Sequence, residues 1–163
     1  MERTLAPNNS ADDTRRRALS YLNKHHVLTL ATTGPQGIWA SAVFYANSNF
    51  NLYFLSGATT RHARNLESNP RAAGTIHEDY YDWRQIKGIQ LEGTTSILSG
   101  LQKAQAVKSF LKKYAYLDGA DGPISAALAT VNWYCLEPER LYFIDNSQGF
   151  GHRDEIDIDL ESH

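Results

Sequence analysis

The amino-acid sequence predicts a mainly β fold, a small and largely antiparallel barrel with a few peripheral α-helices. Three observations lead to this prediction. The chain has 163 residues, of which 42% are hydrophobic, and this fits one ordinary folded domain. Segments that alternate like strands outnumber those with helical periodicity. Most of these segments also follow one another through short turns, whereas parallel pairing would need a helix after every strand.

The first half of the chain is predicted to form a helix and then three strands in meander order. Ala18, Leu19 and Leu22 recur at helical spacing, so we expect a helix from Asp13 to His26. The three strands are predicted at 27–32, 38–46 and 50–56, with turns at 34–37 and 47–49. Short connections of this kind favour antiparallel neighbours.

The second half is predicted to mix strands with helices. Thr59 or Thr60 can cap a short helix that stops at Asn69-Pro70, and Ser99 can cap a longer helix with an apolar face from Leu101 to Tyr114. Further strands are predicted at 71–78, 86–98 and on both sides of 137–139, with an aromatic loop at 79–84, a turn at 119–123 and a helix at 124–129. The proline at 138 is expected to split the last segment into two strands.

One domain is expected between two polar ends. We predict a flexible arm at 1–12, an ordered domain at 13–151 and an acidic tail at 152–163 that folding does not need. No apolar run approaches the roughly 20 residues of a membrane-spanning helix. The first residues also lack the apolar segment of a secretory signal. We therefore expect a cytoplasmic protein.

Charge and cysteine content argue against several classes of function. The chain has 16 basic and 18 acidic residues and lacks the strong basic stripe of a nucleic-acid-binding protein. We expect neither nucleic acid nor a membrane as a partner. The single cysteine, Cys135, cannot build a disulfide or a thiolate zinc site within the chain. Its alternating surroundings favour a core residue over a nucleophile, and no metal site is predicted.

One junction has the composition of a phosphate-binding site. The strand that ends at Ser56 leads into Thr59-Thr60-Arg61-His62 at the start of a helix. A helix start offers unpaired backbone N–H groups and the positive end of the helix dipole, and the Arg61 fork suits phosphate oxygens. The same residues also fit ordinary capping by threonine, with Arg61 and Arg64 on a solvated face. Spacing alone leaves both interpretations open and favours capping.

Two segments of the chain occur in an order that is typical of one superfamily. The first is Leu52–Ala73, which contains Thr-Thr-Arg-His and Asn-Pro-Arg, and the second is Gln85–Gly93, a strand that ends in glycine. Together they resemble the pyridoxamine 5′-phosphate oxidase-like FMN-binding split barrel, over about Ile38 to Leu98. The segment Phe143–Gly151 is more narrowly similar to the YhbP-like branch, which implies no particular reaction. The resemblance implies a split β-barrel of antiparallel strands in Greek-key or meander order.

The resemblance also implies where FMN binds. The positions that match are Ser41, Ala42 and Val43 on the strand whose backbone runs along the flavin ring, Ser56 on the adjoining strand, and Thr60, Arg61 and His62 at the phosphate. His62 stands where the superfamily has lysine, so the phosphate contact becomes pH-sensitive.

Three positions depart from the superfamily pattern. Ala40 and Tyr45 replace basic residues that bracket the flavin-contacting strand, and Gly88 replaces a glutamine that contacts the flavin. Lys87 or Gln90 would compensate, so the predicted cofactor-binding set also includes Lys87, Gly88 and Gln90. The motif that binds pyridoxamine phosphate in the oxidase is not recognisable, so that substrate is not implied.

The resemblance implies an FMN-binding flavoprotein that acts as an FMN-dependent oxidoreductase, with the flavin held between the two subunits of a homodimer. The flavin would carry the chemistry, and no catalytic protein residue is assigned. The expected partners are a small-molecule substrate and NAD(P)H as an electron donor. Tyr80, Tyr81 and Trp83 suit either a wall of the flavin site or the subunit contact.

Two alternatives remain open from the sequence. Superfamily relatives include haem binders, so a non-enzymatic protein that stores or senses flavin or haem is the second hypothesis. Its candidate ligands are His62, His77 and His152. The three departures from the superfamily pattern motivate a third hypothesis, a barrel that has lost its cofactor and serves as a dimeric scaffold.

Overall fold

The computed structural model of the chain describes residues 9–117 and 123–159. The helices are α1 (Asn9–Lys24), α2 (Arg61–Ser68), α3 (Gly100–Lys113) and α4 (Pro123–Thr130). The strands are β1 (Val27–Gly34), β2 (Gly37–Ser48), β3 (Asn51–Ser56), β4 (Arg71–His77), β5 (Lys87–Ile97), β6 (Asn132–Asp145) and β7 (Arg153–Glu155). Single 3-10 turns lie at Trp83–Gln85, Ala115–Leu117 and Asn146–Gln148.

Six strands close into a barrel. They are hydrogen-bonded in the order β3-β2-β1-β4-β5-β6, and the pairing of β3 with β6 closes the ring, while β7 adds to the free side of β6. All of these pairings are antiparallel. The predicted mainly β, antiparallel barrel with peripheral helices is confirmed. Within the described residues, no helix is both long and apolar enough to cross a membrane.

The barrel is split between β2 and β3. β2 pairs with β1 from Gly37 to Phe44, but it pairs with β3 only over Tyr45–Ser48. The other edge of β3 pairs with β6 over Leu52–Ser56. Among the described strands, one edge of β2 from Gly37 to Phe44 therefore has no partner, and its backbone donors and acceptors are available to other groups. Helix α2 lies against β1 and β2 beside this opening.

Two hydrophobic clusters stabilise the fold. The first fills the barrel, where Ala18 and Leu22 of α1 join Leu28, Leu30 and Phe54 from the strands. The second lies outside the barrel and seats α3 against it, through Ala106, Phe110, Tyr114, Trp133 and Cys135. Burial raises the pKa of the Cys135 thiol to about 12, in agreement with its predicted place in the core. The predicted apolar face of α3 was wrong at Leu101, which is 84% exposed, and at Ala104, which is also exposed.

The predicted break at residues 137–139 was wrong, because β6 runs through Pro138 as one strand. The proline lies where β6 has a neighbour on one side only, since the β3 pairing stops at Leu136 and the β7 pairing starts at Tyr142. A bulge absorbs the irregularity, because Gly93 faces Pro138 and Glu92 faces Arg140. A Cβ on Gly93 would lie 2.0 Å from the carbonyl oxygen of Glu137.

Both predicted chain ends contain more structure than expected. α1 begins at Asn9, inside the predicted arm, and ends at Lys24 rather than at His26. The start of α1 at Asn9 could not be predicted from the sequence, because the first turn of the helix is exposed and carries no apolar periodicity. Part of the predicted acidic tail forms β7, and Ile156 just after it is 4% exposed. The turn predicted at 119–123 lies mostly outside the described residues.

Candidate functional site

Four side chains from β2, β3 and α2 form a hydrogen-bonded cluster at the split. Ser56 Oγ lies 2.6 Å from His62 Nε2 and 2.8 Å from Thr60 Oγ1. Ser41 Oγ lies 3.1 Å from His62 Nδ1. His62 therefore bridges a serine on β2 and a serine on β3, across the gap where these strands do not pair. The family resemblance implied that all four residues belong to one site, and the structure brings them together.

The start of α2 follows from Thr60. Its extended backbone makes it the N-cap, and its hydroxyl accepts a 3.3 Å hydrogen bond from the Ala63 N–H. The same hydroxyl donates to the Gly57 carbonyl at 3.0 Å. The capping interpretation is thus correct for Thr60. It also explains how the helix start is held next to Ser56, because one hydroxyl contacts both the turn and the cluster.

Arg61 carries an unsatisfied donor at this helix start. Its guanidinium lies 4.5 Å from the centre of the Trp39 ring, and one Nη donates to the Gln36 carbonyl at 2.8 Å. Its Nε is buried and has no hydrogen-bond partner within residues 9–117 and 123–159. An unpaired buried donor on a cation costs free energy unless an acceptor reaches it. The solvated-face interpretation of Arg61 was therefore wrong, since the side chain is half-buried against Trp39.

His62 is shielded from solvent enough to disfavour its charge. Burial lowers the pKa of His62 below its ordinary value. Both ring nitrogens face hydroxyl groups, which can donate or accept as the ring requires. The neutral ring is therefore the favoured form near neutral pH. Protonation would add a positive charge to the residue that follows Arg61 in the chain, at the same helix start.

The predicted flavin-binding stretch of β2 lies on the unpaired edge. Ser41 is half-buried, Ala42 is exposed, and Val43 points into the core at 9% exposure. Ala40 is exposed, but Tyr45 is fully buried and donates a 2.7 Å hydrogen bond to the Leu22 carbonyl. Tyr45 is therefore a core residue. The superfamily has a basic residue at the position of Tyr45, but in this chain the side chain there is buried and cannot contact a cofactor at the surface.

The predicted residues on β5 do not join the cluster. β1 and β4 separate β5 from β2, so Lys87, Gly88 and Gln90 lie about 14 Å around the barrel from β2 by strand spacing. Gly88 is buried, and a Cβ there would lie 2.9 Å from the Ile76 carbonyl oxygen. The local backbone thus disfavours a side chain at Gly88. Gln90 is exposed and Lys87 is half-buried at the opposite end of the barrel.

Sequence reasoning missed Trp39 and Gln36, which hold the Arg61 side chain. Both lie in or beside the hairpin between β1 and β2, far from Arg61 along the chain. The sequence feature that could have identified Trp39 is a tryptophan in a strand next to a glycine turn. In the structure, Trp39 is 42% exposed despite its size. Of the haem-ligand candidates, His62 uses both nitrogens and His152 Nε2 lies 2.9 Å from Asp154. His77 is exposed, and only its Nδ1 contacts a polar group in the described chain.

The sequence and fold also match known proteins. The family model for pyridoxamine 5′-phosphate oxidase matches residues 15–148. A UPF0306 protein of Photorhabdus laumondii is 32% identical over 133 residues, which cover 80% of this chain and 87% of that protein. The UPF0306 protein YhbP of Salmonella paratyphi A is 28% identical over 133 residues, covering 80% of this chain and 84% of that protein.

A solved structure has the same fold at low sequence identity. It is a haem-binding protein from Mycobacterium smegmatis, with a TM-score of 0.69 and 22% identity. The match covers 93% of this chain and 59% of that chain. The chain belongs to the pyridoxamine 5′-phosphate oxidase family, with its similarity to YhbP placing it in the UPF0306 branch.

Proposed function

We propose that this chain is an FMN-binding flavoprotein that acts as an FMN-dependent oxidoreductase on a small molecule. The observation that carries the proposal is the buried, unpartnered Nε of Arg61 at the start of α2. A phosphate oxygen is an acceptor of the right charge for this donor, and arginine binds phosphate through paired N–H groups. The residues on either side of Arg61 in the chain, Thr60 and His62, each lie within hydrogen-bond distance of the Ser56 hydroxyl, so the same helix start offers further polar groups.

The remaining residues would orient the cofactor. The unpaired edge of β2 over Ser41–Val43 offers backbone groups that no strand uses, which suits the polar rim of a flavin ring. Trp39 keeps Arg61 in place by stacking. When bound, FMN supplies the hydride or electron transfer, while the protein binds and orients it. NAD(P)H as the electron donor and the identity of the oxidised molecule are part of this proposal.

A homodimer is also part of the proposal. The outer face of β2, β1 and β4 brings three alanines side by side, since Ala40 pairs with Ala31 and Ala31 pairs with Ala73. Ile38 and Phe44 flank these small residues and are 81% and 55% exposed. An exposed face with small apolar residues and large apolar side chains beside them favours a subunit contact. Such a contact would allow the flavin to lie between two subunits, as the family resemblance implies.

The absorption spectrum of the purified protein, before and after loading with FMN, is the first test. Flavin bands that remain after desalting would support the proposal, and light scattering on the same sample would report the dimer. We expect Arg61→Ala to weaken FMN by about 30-fold, since hydrogen bonds to charged groups contribute about 1.5–3 kcal/mol. Riboflavin, which lacks the phosphate, should lose almost nothing.

The matched control is Arg64→Ala on the exposed side of the same helix. It removes the same charge without touching the cluster, so FMN affinity should stay within about twofold, as for weakly interacting surface charges. Equal losses of FMN and riboflavin in Arg61→Ala would contradict the phosphate assignment. A spectrum that stays without flavin bands after loading would contradict FMN binding itself.

A non-enzymatic haem-binding protein is the second candidate function. The observation that favours it is His77, whose exposed ring leaves Nε2 without a hydrogen-bond partner in the described chain. A solved haem-binding protein shares the fold. Imidazole is a common axial ligand of haem iron. A Soret band that His77→Ala abolishes and Arg61→Ala leaves unchanged would favour this function over the flavoprotein.

A further inference from the structure

Lys113 is a half-buried amine that the proposed function does not use. It lies in the last turn of α3. Its Nζ donates a 3.1 Å hydrogen bond to the Leu22 carbonyl of α1 and lies 4.0 Å from the centre of the Tyr45 ring on β2. The same carbonyl accepts the 2.7 Å hydrogen bond from the Tyr45 hydroxyl. Two helices and a strand therefore meet at this one nitrogen.

The surroundings of Lys113 differ from those of the other cations near α1. An open cleft beside Tyr21 and Phe143 is lined by four of them, Arg17, Lys24, Arg84 and Lys87. Lys113 lies outside that cleft. Within residues 9–117 and 123–159 it forms no ion pair, and the Leu22 carbonyl is the one acceptor of its hydrogen bonds. An ammonium has three N–H donors, so two of them find no protein acceptor there.

No negative charge comes from the titratable groups packed around this nitrogen. They are Tyr45 on β2, Tyr114 in α3 and His26 before β1. The Tyr114 hydroxyl donates to the carbonyls of Tyr45 and His26, and burial raises the pKa of both tyrosines, so both phenols stay neutral. The His26 ring, whose centre lies 5.6 Å from that of Tyr114, is neutral or cationic. The ammonium of Lys113 is therefore poorly compensated.

The fold accordingly favours the neutral amine of Lys113. Burial lowers the pKa of Lys113 from its ordinary value to about 8, because removal from water disfavours the charged form. A neutral amine has two hydrogens and one lone pair. When one hydrogen points at the Leu22 carbonyl, the lone pair points away from it. Since the side chain is only half-buried, a small electrophile can reach this lone pair from the solvent side.

The site suits one class of electrophile better than others. An acyl group turns the amine into an amide, which is uncharged and keeps one N–H that can still donate to the Leu22 carbonyl. Carbon dioxide would instead create a carbamate, whose negative charge would lie beside that carbonyl without a cation to pair with it in the described contacts. An uncharged acyl group is therefore the modification that these contacts accept.

We propose that Lys113 is a site of covalent acylation, at which the Nζ lone pair attacks the carbonyl carbon of an acyl thioester. A nitrogen–carbon bond forms and the carbon–sulfur bond breaks. The thiolate leaves and takes up the proton that the nitrogen loses, so no oxidant or reductant is needed. The proposal goes beyond the flavoprotein function and does not depend on it.

Acetylation of the full chain by the thioester S-acetyl-N-acetylcysteamine tests the site, with peptide mass spectrometry reporting the rate at each lysine. At pH 7.5 an amine with a pKa of about 8 is about one quarter neutral, against about 0.1% for an ordinary lysine. Nucleophilicity falls with pKa, as it does for thiols, and offsets part of this advantage. We therefore expect Lys113 to react about tenfold faster than the exposed Lys108 and Lys112 of the same helix.

The pH profile and unfolding give two further readouts. The rate at Lys113 should rise up to about pH 8 and then level off, because most of the amine is then neutral. An ordinary lysine gains neutral amine up to about pH 10.4. In concentrated urea the preference for Lys113 should vanish, because the unfolded chain exposes its Nζ to water.

Two arginine variants separate the amine from its charge. Lys113→Arg keeps a cation for the Tyr45 ring and the Leu22 carbonyl, so the chain should fold while the fast acetylation disappears. Lys112→Arg is the matched control and should leave the rate at Lys113 unchanged.

Three outcomes would overturn the proposal. The first is acetylation of Lys113 that is no faster than that of Lys108 and Lys112 in the folded chain. The second is the same preference in urea, since reactivity would then follow from the local sequence. The third is a rate at Lys113 that keeps rising well above pH 8. None of these readouts uses FMN, so they remain separate from the test of the flavoprotein function.

Discussion

The two ends of β1 hold cations in different ways. At the hairpin end, Arg61 is half-buried, stacked on Trp39 and left with one unsatisfied donor. At the α1 end, about 23 Å away by strand rise, the cations line an open cleft, and Arg17 is already paired with a buried carboxylate. The first arrangement suits one acceptor at a defined position. The second is a broader positive surface beside an aromatic wall.

The difference also lies in how the chain builds each end. The hairpin end depends mainly on one short stretch, Ser56–His62, so a strand-to-helix junction alone sets most of its geometry. The α1 end draws on Arg17 and Tyr21 from a helix, Lys87 from β5 and Phe143 from β6. Only the closed barrel brings these together. A change to the packing of the barrel should therefore affect the α1 end more than the hairpin end.

Asp145→Asn should have the largest effect on the free energy of unfolding. Burial opposes ionisation of Asp145, but hydrogen bonds from Ser147 and the nearby Lys87 and Arg17 outweigh it and hold its pKa below the ordinary value. Breaking a buried ion pair costs about 3–5 kcal/mol, and the half-exposed Arg17 places the loss near about 3 kcal/mol. Urea unfolding at neutral pH measures it.

The control for that prediction is Asp82→Asn, which breaks a pair with the exposed Arg84 and should change stability little. FMN affinity at the hairpin end should be the same in both variants once they are folded. If Asp145→Asn weakened FMN binding as much as Arg61→Ala does, the two ends of the barrel would be coupled and would not act independently.

Ile156→Ala should give the next largest effect. Ile156 is 4% exposed and belongs to the core cluster that also contains Ala18 and Leu22 of α1, although the sequence places it in an acidic tail. Its N–H donates to the Leu141 carbonyl at 2.9 Å. Truncating a buried isoleucine costs about 2–5 kcal/mol, and we expect about 2 kcal/mol at this edge of the core. Thermal unfolding checks it.

Shortening the chain at its C-terminal end also tests whether residues after Gly151 stabilise the fold. A chain that stops at Gly151 loses β7 and Ile156, so it should unfold more easily than the full chain. Ile158→Ala is the milder comparison, since Ile158 is only partly buried against the same cluster. A truncated protein as stable as the full chain would restore the prediction that 152–163 are dispensable.

The features that could be predicted from the sequence are those set by residues close to one another in the chain. Alternation and turn residues predicted β1 to β5 in order, and the N-cap of α2 follows from Thr60. Contacts between distant segments could not be predicted in the same way. Continuity through Pro138 depends on which neighbours β6 has at that point, and the burial of Ile156 depends on α1.

The same limit applies to the candidate site. The cluster of Thr60, His62 and Ser56 was predictable because a turn holds it together. The stacking of Arg61 on Trp39 was not, because 21 residues and a strand crossing separate the two. Lys87 was assigned to that site from the resemblance, but in one chain it lies at the other end of the barrel.

The pH dependence of the free energy of unfolding should differ between His62 at the hairpin end of the barrel and Asp145 at the α1 end. We expect this effect to be smaller than those of Asp145→Asn and Ile156→Ala. Burial lowers the pKa of His62, so the unfolded chain binds a proton more readily than the folded chain below about pH 6.5. The stability that the neutral His62 ring contributes is fully present above about pH 6.5. It is lost as the pH falls toward the lowered pKa that His62 has in the folded chain. The ionised Asp145 contributes to the free energy of unfolding over a different pH range, and this contribution is lost only below about pH 3.9.

FMN should respond to the same proton with the opposite sign. A protonated His62 adds a positive charge at the phosphate site, so FMN affinity should rise as the pH falls from about 6.5, while the stability of the cofactor-free protein declines. His62→Gln keeps hydrogen-bonding capacity with Ser41 and Ser56 but cannot titrate, so both slopes should flatten near neutral pH. Riboflavin titrations supply the reference, because without a phosphate the affinity should not rise. If His62→Gln kept the full pH dependence of FMN binding, the proton would lie on another group, and His62 would only bridge the two serines across the split.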